Sequence, residues 1–410
     1  MDKQIYNCHI HTFTSANIPD RFLPLGLNRV MKYRMVRRGL IYTIDLLKGV
    51  LRFLGLVFPN PITKGVSLLF ELADKAWLSK GSFTHDALMR YDNFFETGGS
   101  SSQQQVFDKI RAQYPDDTRF VVLPMDMSYM GSGKPLIRYE DQLNELSLLH
   151  ANHPNTIIPF FAADPRRENL MELFNEYVGK RGFRGVKLYP NLGYFPNDAK
   201  LREIYRICEQ KQIPVLAHCS PGGIRKKGTS LDQAKTFAHP GNYEAVLKEF
   251  PKLNFCLAHF GGSEEWERQI TGKAPRDGAD ASWLSVILRL LTEKENGKPK
   301  YPNLFTDVSY TMFMKSPSDR AFTYFDYLKV LMADPAVADQ VLFGTDYYMV
   351  EQEKYTEKEV SIALRSQLGE EMFFKIANEN PKVFLYEKSR VNTAKAAAKP
   401  PVARSRKAGK

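Results

Sequence analysis

Eight short apolar runs set the tightest limit on what this 410-residue chain can fold into. They fall at 5–11, 120–125, 157–163, 185–189, 215–218, 254–259, 304–308 and 341–344. Each is short and nearly continuous in apolar residues, the pattern of a strand covered on both faces. Helical spacing of apolar residues appears between most of them, at 139–151, 168–180, 199–211, 243–250, 281–295 and 318–332. Eight strands alternating with helices predict an α/β protein, a closed (β/α)8 TIM barrel.

The composition suits such a core: 43% hydrophobic, 12% aromatic and 25% charged. The cysteines Cys8, Cys208, Cys219 and Cys256 show no CxxC spacing and read as reduced, buried thiols of a cytoplasmic protein. A first strand beginning near Gln4 leaves no room for a secretory signal. The net charge of +11 is concentrated in one place. Residues 388–410 hold eight Lys/Arg and no acids, which leaves 49 basic against 46 acidic side chains elsewhere. The body is nearly neutral, so no nucleic-acid partner is expected. The tail lacks apolar periodicity and is expected to be disordered.

The link from strand 1 to strand 2 is far longer than an ordinary crossover. Residues 14–118 read as an insertion with helical patterns at 27–58 and 63–78. It leaves the C-terminal end of strand 1, so a cap over the barrel mouth is expected. The stretch 39–58 is interrupted by Lys48 and Arg52 and reads as an amphipathic helix, not a transmembrane segment. Residues 98–105 read as a flexible loop tip or short linker. The expected organisation is a barrel at 1–387, including the 14–118 insertion, followed by a basic tail at 388–410.

His9 and His11 lie two apart in strand 1, so they should share a face. Three later runs also end in a metal-competent side chain: Val215-Leu216-Ala217-His218, Phe255-Cys256-Leu257-Ala258-His259 and Leu342-Phe343-Gly344-Thr345-Asp346. Strand ends converge at one mouth of such a barrel, where Lys187 of strand 4 would join them. A lone buried histidine is more often satisfied by a backbone carbonyl; the set drawn from several strands carries the metal reading. Neutral imidazoles with a carboxylate suit zinc, with manganese or iron as alternatives. Such an ion lowers the pKa of bound water toward neutrality.

This order of residues resembles the amidohydrolase superfamily, in particular the amidohydrolase-related branch that includes aminocarboxymuconate semialdehyde decarboxylase and related metal-dependent hydrolases. The resemblance rests on His9/His11, Gly185-Val186-Lys187-Leu188-Tyr189-Pro190, Leu216-Ala217-His218, Leu257-Ala258-His259-Phe260-Gly261-Gly262 and Phe343-Gly344-Thr345-Asp346. It implies that His9, His11, His218 and Asp346 bind one divalent metal. It also implies that His259 polarises the substrate or orients water, and that Asp346 doubles as general base. Lys187 resembles the carbamylated lysine that bridges two metals in binuclear members, so a second metal is expected only if Lys187 is carbamylated. Its alternatives are a substrate-carboxylate contact or an ion pair with Asp346. The implied activity is hydrolysis of an amide, lactone or related carbonyl bond of a small molecule by metal-activated water. Alternatives are non-oxidative decarboxylation of an unsaturated or aromatic acid, and a catalytically silent metal-stabilised binding or membrane-associated protein.

Tyr189, Arg225 and Tyr310 are the candidates for substrate contact, and Tyr194, Tyr347 and Tyr348 line the same strand ends or pack against the cap. Arg225, Lys226 and Lys227 read equally as an anion-recognising loop or a solvated one. Gly222-Gly223 and Gly261-Gly262 read as tight loop turns. Asp164 and Arg166 read as a loop brace, with Asp126 left open. His150 and His153 read as surface residues, His239 as a loop residue and His85 as part of the insertion. Related barrels often pair, so a homodimer is an expectation.

Overall fold

A computed structural model describes residues 3–22, 93–275, 281–311, 323–352 and 356–387. Most of the insertion, including the expected helices at 27–58 and 63–78 and His85, lies outside these residues. So do the start of the helix expected at 318–332 and the tail at 388–410.

Eight parallel strands form one sheet in chain order: β1 Tyr6–Ile10, β2 Arg119–Val122, β3 Ile157–Ala162, β4 Gly185–Leu188, β5 Val215–His218, β6 Phe255–Ala258, β7 Leu304–Asp307 and β8 Val341–Leu342. The last strand closes on the first. Cys8 N donates to Phe343 O at 2.8 Å, His11 N to Tyr347 O at 2.5 Å and Asp346 N to His9 O at 2.8 Å. The expected (β/α)8 barrel is therefore formed, and each strand lies at its expected place.

Helices pack outside the strands: α1 Gln103–Arg111, α2 Tyr139–Asn152, α3 Leu170–Tyr177, α4 Ala199–Lys211, α5 Leu231–Ala238, α6 Glu244–Glu249, α7 Ser263–Ile270, α8 Trp283–Thr292, α9 Tyr324–Met332, α10 Pro335–Ala338, α11 Glu357–Leu368, α12 Glu370–Phe374 and α13 Asn380–Tyr386. Their apolar stripes and the outward strand residues make one large core layer. No helix of the described residues is long and apolar enough to cross a membrane.

Two sequence expectations change. Residues 98–105 are not a linker, because Ser102 caps α1 by accepting from Gln105 N, and Gln103 is buried. The Gln103 side chain donates to Gln142 O at 2.8 Å and accepts from Thr12 Oγ at 2.7 Å. A polar side chain with both ends satisfied can be buried, which a reading by polarity misses. Helix α1 also fills the ordinary crossover position between β1 and β2, so the stretch 14–118 contains a piece of the barrel wall. Second, α8 is shorter than expected, and residues 294–299 form a small antiparallel hairpin instead. Helices α5, α7 and α11 had no counterpart in the sequence reading, although capping boxes start α5 at Ser230 and α11 at Thr356.

The barrel's interior is a second, smaller core made by Tyr6, Cys8, Val121, Leu123, Ile158, Phe160, Leu216, Cys256, Ala258, Phe305 and Leu342. Phe384 and Leu385 of α13 plug it from below. Arg184 and Asn254, which precede β4 and β6, hold α13 there by donating to Leu385 O and Phe384 O. The plug occupies the N-terminal end and leaves the C-terminal mouth for polar groups.

Gly185 shows how tight this interior is. It sits directly across from Phe160 in the β3–β4 register, and a Cβ there would lie 2.3 Å from the ring. Gly185→Ala should lower folding stability by about 1–3 kcal/mol in denaturant titration, and Phe160→Leu in the same chain should restore part of it. A neutral Gly185→Ala would show that the ring is free to move.

Candidate functional site

The mouth is built from strand ends, and β1 reaches it through a bulge. Asn7 pairs with Phe120 and Ile10 with Val122, so Cys8 and His9 together oppose Val121. The extra residue turns both Cys8 and His9 into the barrel. Simple alternation would have put them on opposite faces. After the bulge His11 points inward again. Gly344 lets β8 close here, since a Cβ on it would lie 2.8 Å from His9 Cβ.

The partners of these rings decide where their protons sit. His9 Nδ1 lies 2.9 Å from Asp307 Oδ2, and His11 Nδ1 lies 2.7 Å from Leu123 O. A carboxylate and a carbonyl can only accept, so each ring donates from Nδ1. Each then aims an Nε2 electron pair at Asp346 Oδ1, 3.4 Å away for His9 and 3.0 Å for His11. Asp346 Oδ1 is buried, and no hydrogen bond of acceptable angle reaches it. Burial raises the pKa of this carboxyl, an effect that the Lys187 charge opposes. Two nitrogen electron pairs and a carboxylate oxygen thus face one another within 4.8 Å. That arrangement is repulsive without a cation, and its N,N,O chemistry fits a divalent metal.

A second buried trio, His9, His259 and Asp307, is equally compact. Its geometry is that of a hydrogen-bond hub. Asp307 accepts from His9 Nδ1, from His259 N at 2.9 Å, from Ser309 N at 3.1 Å and from the Ser309 hydroxyl. With its electron pairs taken by protons, it orients the rings. The sequence reading missed Asp307 and Ser309. The signal was present: Leu304-Phe305-Thr306-Asp307 is one more apolar run ending in a carboxylate.

His218 is placed differently from expectation. Its Nδ1 meets His259 Nε2 at 2.9 Å, its Nε2 faces Gly222 O at 3.0 Å, and Tyr189 stacks on the ring at 4.3 Å. It therefore adjoins the His9–His11–Asp346 group without an Nε2 in it. Lys187 Nζ reaches His9 Nε2 at 3.4 Å, and burial lowers its pKa to about 8 against the pull of Asp346 and Asp307.

Among the described residues, four of the six non-glycine positions with positive φ cluster here: His259 (68°), Phe260 (41°), Tyr310 (55°) and Asp346 (64°). Each such conformation costs on the order of 1–3 kcal/mol, held in place by bonds such as Asp346 N to His9 O and Trp266 Nε1 to Phe260 O.

The substrate candidates scatter. Tyr189 is committed to His218 and to Ile224 N, while Arg225 is exposed with Lys226 and Lys227. Tyr310 is half-buried just past β7. Tyr348 donates to Phe13 O and packs on Phe94, at the edge of the connecting segment. Arg166 forks onto Asp164 and donates to Leu192 O at 2.7 Å, the expected loop brace. Asp126 does the same work with Arg167. His150 and His153 are half-buried and hydrogen-bonded, and His239 accepts from Gly241 N.

The amidohydrolase family model matches residues 137–385. The chain belongs to the amidohydrolase family. It is an enzyme of that type, and the match takes in Lys187, His218, His259, Asp307 and Asp346 while His9 and His11 precede it. No curated protein matches the sequence. Among solved structures, a TIM-barrel protein of Bordetella bronchiseptica is 19% identical, covering 70% of this chain and 83% of its own, at TM-score 0.46. A 4-oxalomesaconate hydratase of Rhodopseudomonas palustris is 14% identical over 96% of this chain and 98% of its own, at TM-score 0.45. A 2,6-dihydroxybenzoate decarboxylase of Rhizobium is 13% identical over 69% and 88%, at TM-score 0.43.

Burial, with Lys187 adding to it, holds His218 down to about 3; burial also keeps His9 and His259 well below the ordinary histidine value. Unfolded histidines titrate near about 6.5, so below that pH the unfolded chain binds protons that the folded rings refuse. Stability must then fall on acidification. Chelator-treated protein should melt at a lower temperature at about pH 5 than at about pH 7.5. A melting temperature that rises instead would overturn the neutral-ring assignment.

Proposed function

We propose that this amidohydrolase-family enzyme is a metal-dependent hydrolase acting on an amide, lactone or related carbonyl bond of a small molecule. The observation that supports it is the convergence of His9 Nε2, His11 Nε2 and the unpaired Asp346 Oδ1 on one point of the mouth. These three would hold one divalent ion, zinc first and manganese or iron next, with His218 as the proposed fourth ligand. Bound there, the ion would supply Lewis acidity and make water a nucleophile near neutral pH.

The chain's own groups would do the rest. Asp346 would take the proton of the attacking water as general base. His259, anchored through its backbone N–H to Asp307, would polarise the substrate or orient the water. Lys187 is the buried ammonium of the mouth and would meet a negative group of the substrate. The other buried trio, His9, His259 and Asp307, is taken up by hydrogen bonds, so we expect one ion per chain and a second only if Lys187 is carbamylated. The same lysine is what favours the second reading, decarboxylation, because it could anchor a carboxylate. Arg166 and Arg167 are committed to Asp164 and Asp126 and do not compete for that role. The four free, buried thiols suit a reducing compartment, and we place the enzyme in the cytoplasm.

Elemental mass spectrometry on protein purified without chelators should find about one zinc, manganese or iron per chain. His11→Ala and His218→Ala should each lower that content, and Lys187→Ala should leave it near one; a halved content would make Lys187 a bridge. Asp346→Asn should cost about 10²–10⁴-fold in turnover and proportionally less metal, since an amide cannot act as the base. A fully active Asp346→Asn enzyme rejects that role. Product analysis separates the two chemistries: a new acid with an amine or alcohol supports hydrolysis, and CO₂ release supports decarboxylation.

A further inference from the structure

Asn7 is fully buried on the outer side of β1, at the seam where the last strand closes on the first. Its side chain crosses that seam. Nδ2 donates to Thr345 Oγ1 at 2.8 Å, and Oδ1 accepts from His9 N at 3.3 Å. Thr345 adjoins Asp346, so one amide joins the backbone stretches that carry two of the three groups facing one another in the mouth. The strand gives limited support of its own. β8 is only Val341–Leu342, and Asp346 lies beyond it with a left-handed φ of 64°.

What orients the amide comes from outside the barrel. Glu357, the first residue of α11, and Tyr114, between α1 and β2, are buried against Asn7. Tyr114 gives its hydroxyl proton to Glu357 Oε1 at 2.5 Å, which leaves the phenol oxygen an acceptor toward Asn7. Nδ2 then faces Glu357 Oε1 and the Tyr114 oxygen, each at 3.3 Å, as well as Thr345. On the other side His9 N can only donate. An amide turned over would set Oδ1 against the Glu357 oxygen and its NH2 against the His9 N–H. Glu357 therefore decides which end of Asn7 crosses the seam. The other Glu357 oxygen, Oε2, is buried without a hydrogen bond, a cost that an apolar side chain filling the same space would not carry.

We propose that Glu357 is a positioning residue: from the outer wall it orients Asn7, and the oriented amide sets the separation of His9 and Asp346 across the seam. The clamp follows from the hydrogen bonds alone. Its consequence for metal affinity rests on the hydrolase reading above.

The test uses the full chain, labelled with ¹⁵N-asparagine and treated with chelator. The Asn7 side-chain amide, recognised by its magnetisation transfer to the Tyr114 ring, should exchange with water far more slowly than exposed asparagines do. Exchange as fast as theirs overturns the proposal, and this measurement needs no variant to fold. Glu357→Ala should speed the exchange about 3–10-fold, the loss of roughly one net hydrogen bond, and Glu357→Gln, which keeps an accepting oxygen, should restore it. Unchanged exchange in Glu357→Ala removes the carboxyl from the role. In zinc titrations Glu357→Ala and Thr345→Val should bind about 10–100-fold more weakly and alter the absorption spectrum of bound cobalt, with Glu357→Gln close to the original. Gly185→Ala, destabilised near the other end of the barrel, should keep both the affinity and the spectrum. A Glu357→Ala chain that melts earlier yet keeps both overturns the clamp, because its carboxyl then only packs. If the unsubstituted protein binds no zinc, the hydrolase reading fails, and the exchange rates still decide whether Glu357 holds Asn7.

Discussion

One extra residue in β1 governs how this barrel works. The bulge at Cys8–His9 lets the strand line the interior core with Cys8 and then begin the polar mouth with His9 without a change of direction. It also leaves Asn7 on the outside. There the Asn7 amide donates to Thr345 Oγ at 2.8 Å and to Glu357 Oε1 at 3.3 Å, and Tyr114 donates to the same Glu357 oxygen at 2.5 Å. Burial raises the Glu357 pKa to about 7. The strand is thus tied on its outer side to the residue next to Asp346, and on its inner side to Asp307. Both sides of the His9 backbone are held before any ligand arrives.

Asp307 is the electrostatic counterpart of that constraint. A buried carboxylate is costly unless its electron pairs are used, and here four donors from β1, β6 and the β7 end meet it. Those donors are drawn from the same segments that adopt left-handed backbone at His259, Phe260 and Tyr310. The strain at the mouth is offset by a network that is rigid because it is fully bonded. The exception is Asp346 Oδ1, left without a hydrogen bond at the point where the histidine electron pairs meet.

The barrel was legible because its signal is local and redundant. A parallel strand covered on both faces must be apolar throughout, so each of the eight runs announced itself within a few residues. The convergence of His9, His11 and Asp346 was legible, since they share the property of ending or following such runs. Polar residues that are buried by hydrogen bonding were harder. Gln103 looked like linker because polarity normally means exposure. Asp307 and Ser309 looked like strand ending because their importance lies in partners up to 300 positions away, such as His9. Arg225 read equally as an anion-recognising or a solvated loop residue, and it is exposed, since a loop's direction is set by what it packs on.

The sequence by itself determined the fold class, the strand order and the mouth at which chemistry-bearing side chains gather. These depend on hydrophobic periodicity, which is written residue by residue. Only the tertiary structure decided which nitrogen of each histidine faces inward, that His218 turns to Gly222 O and His259, and that Asp307 gathers donors from His9, His259 and Ser309. A proton's position on an imidazole depends on the acceptor opposite it, and that acceptor comes from another strand. The bulge sits between the two levels: its extra residue is in the sequence, but only the pairing of β1 with β2 makes it extra.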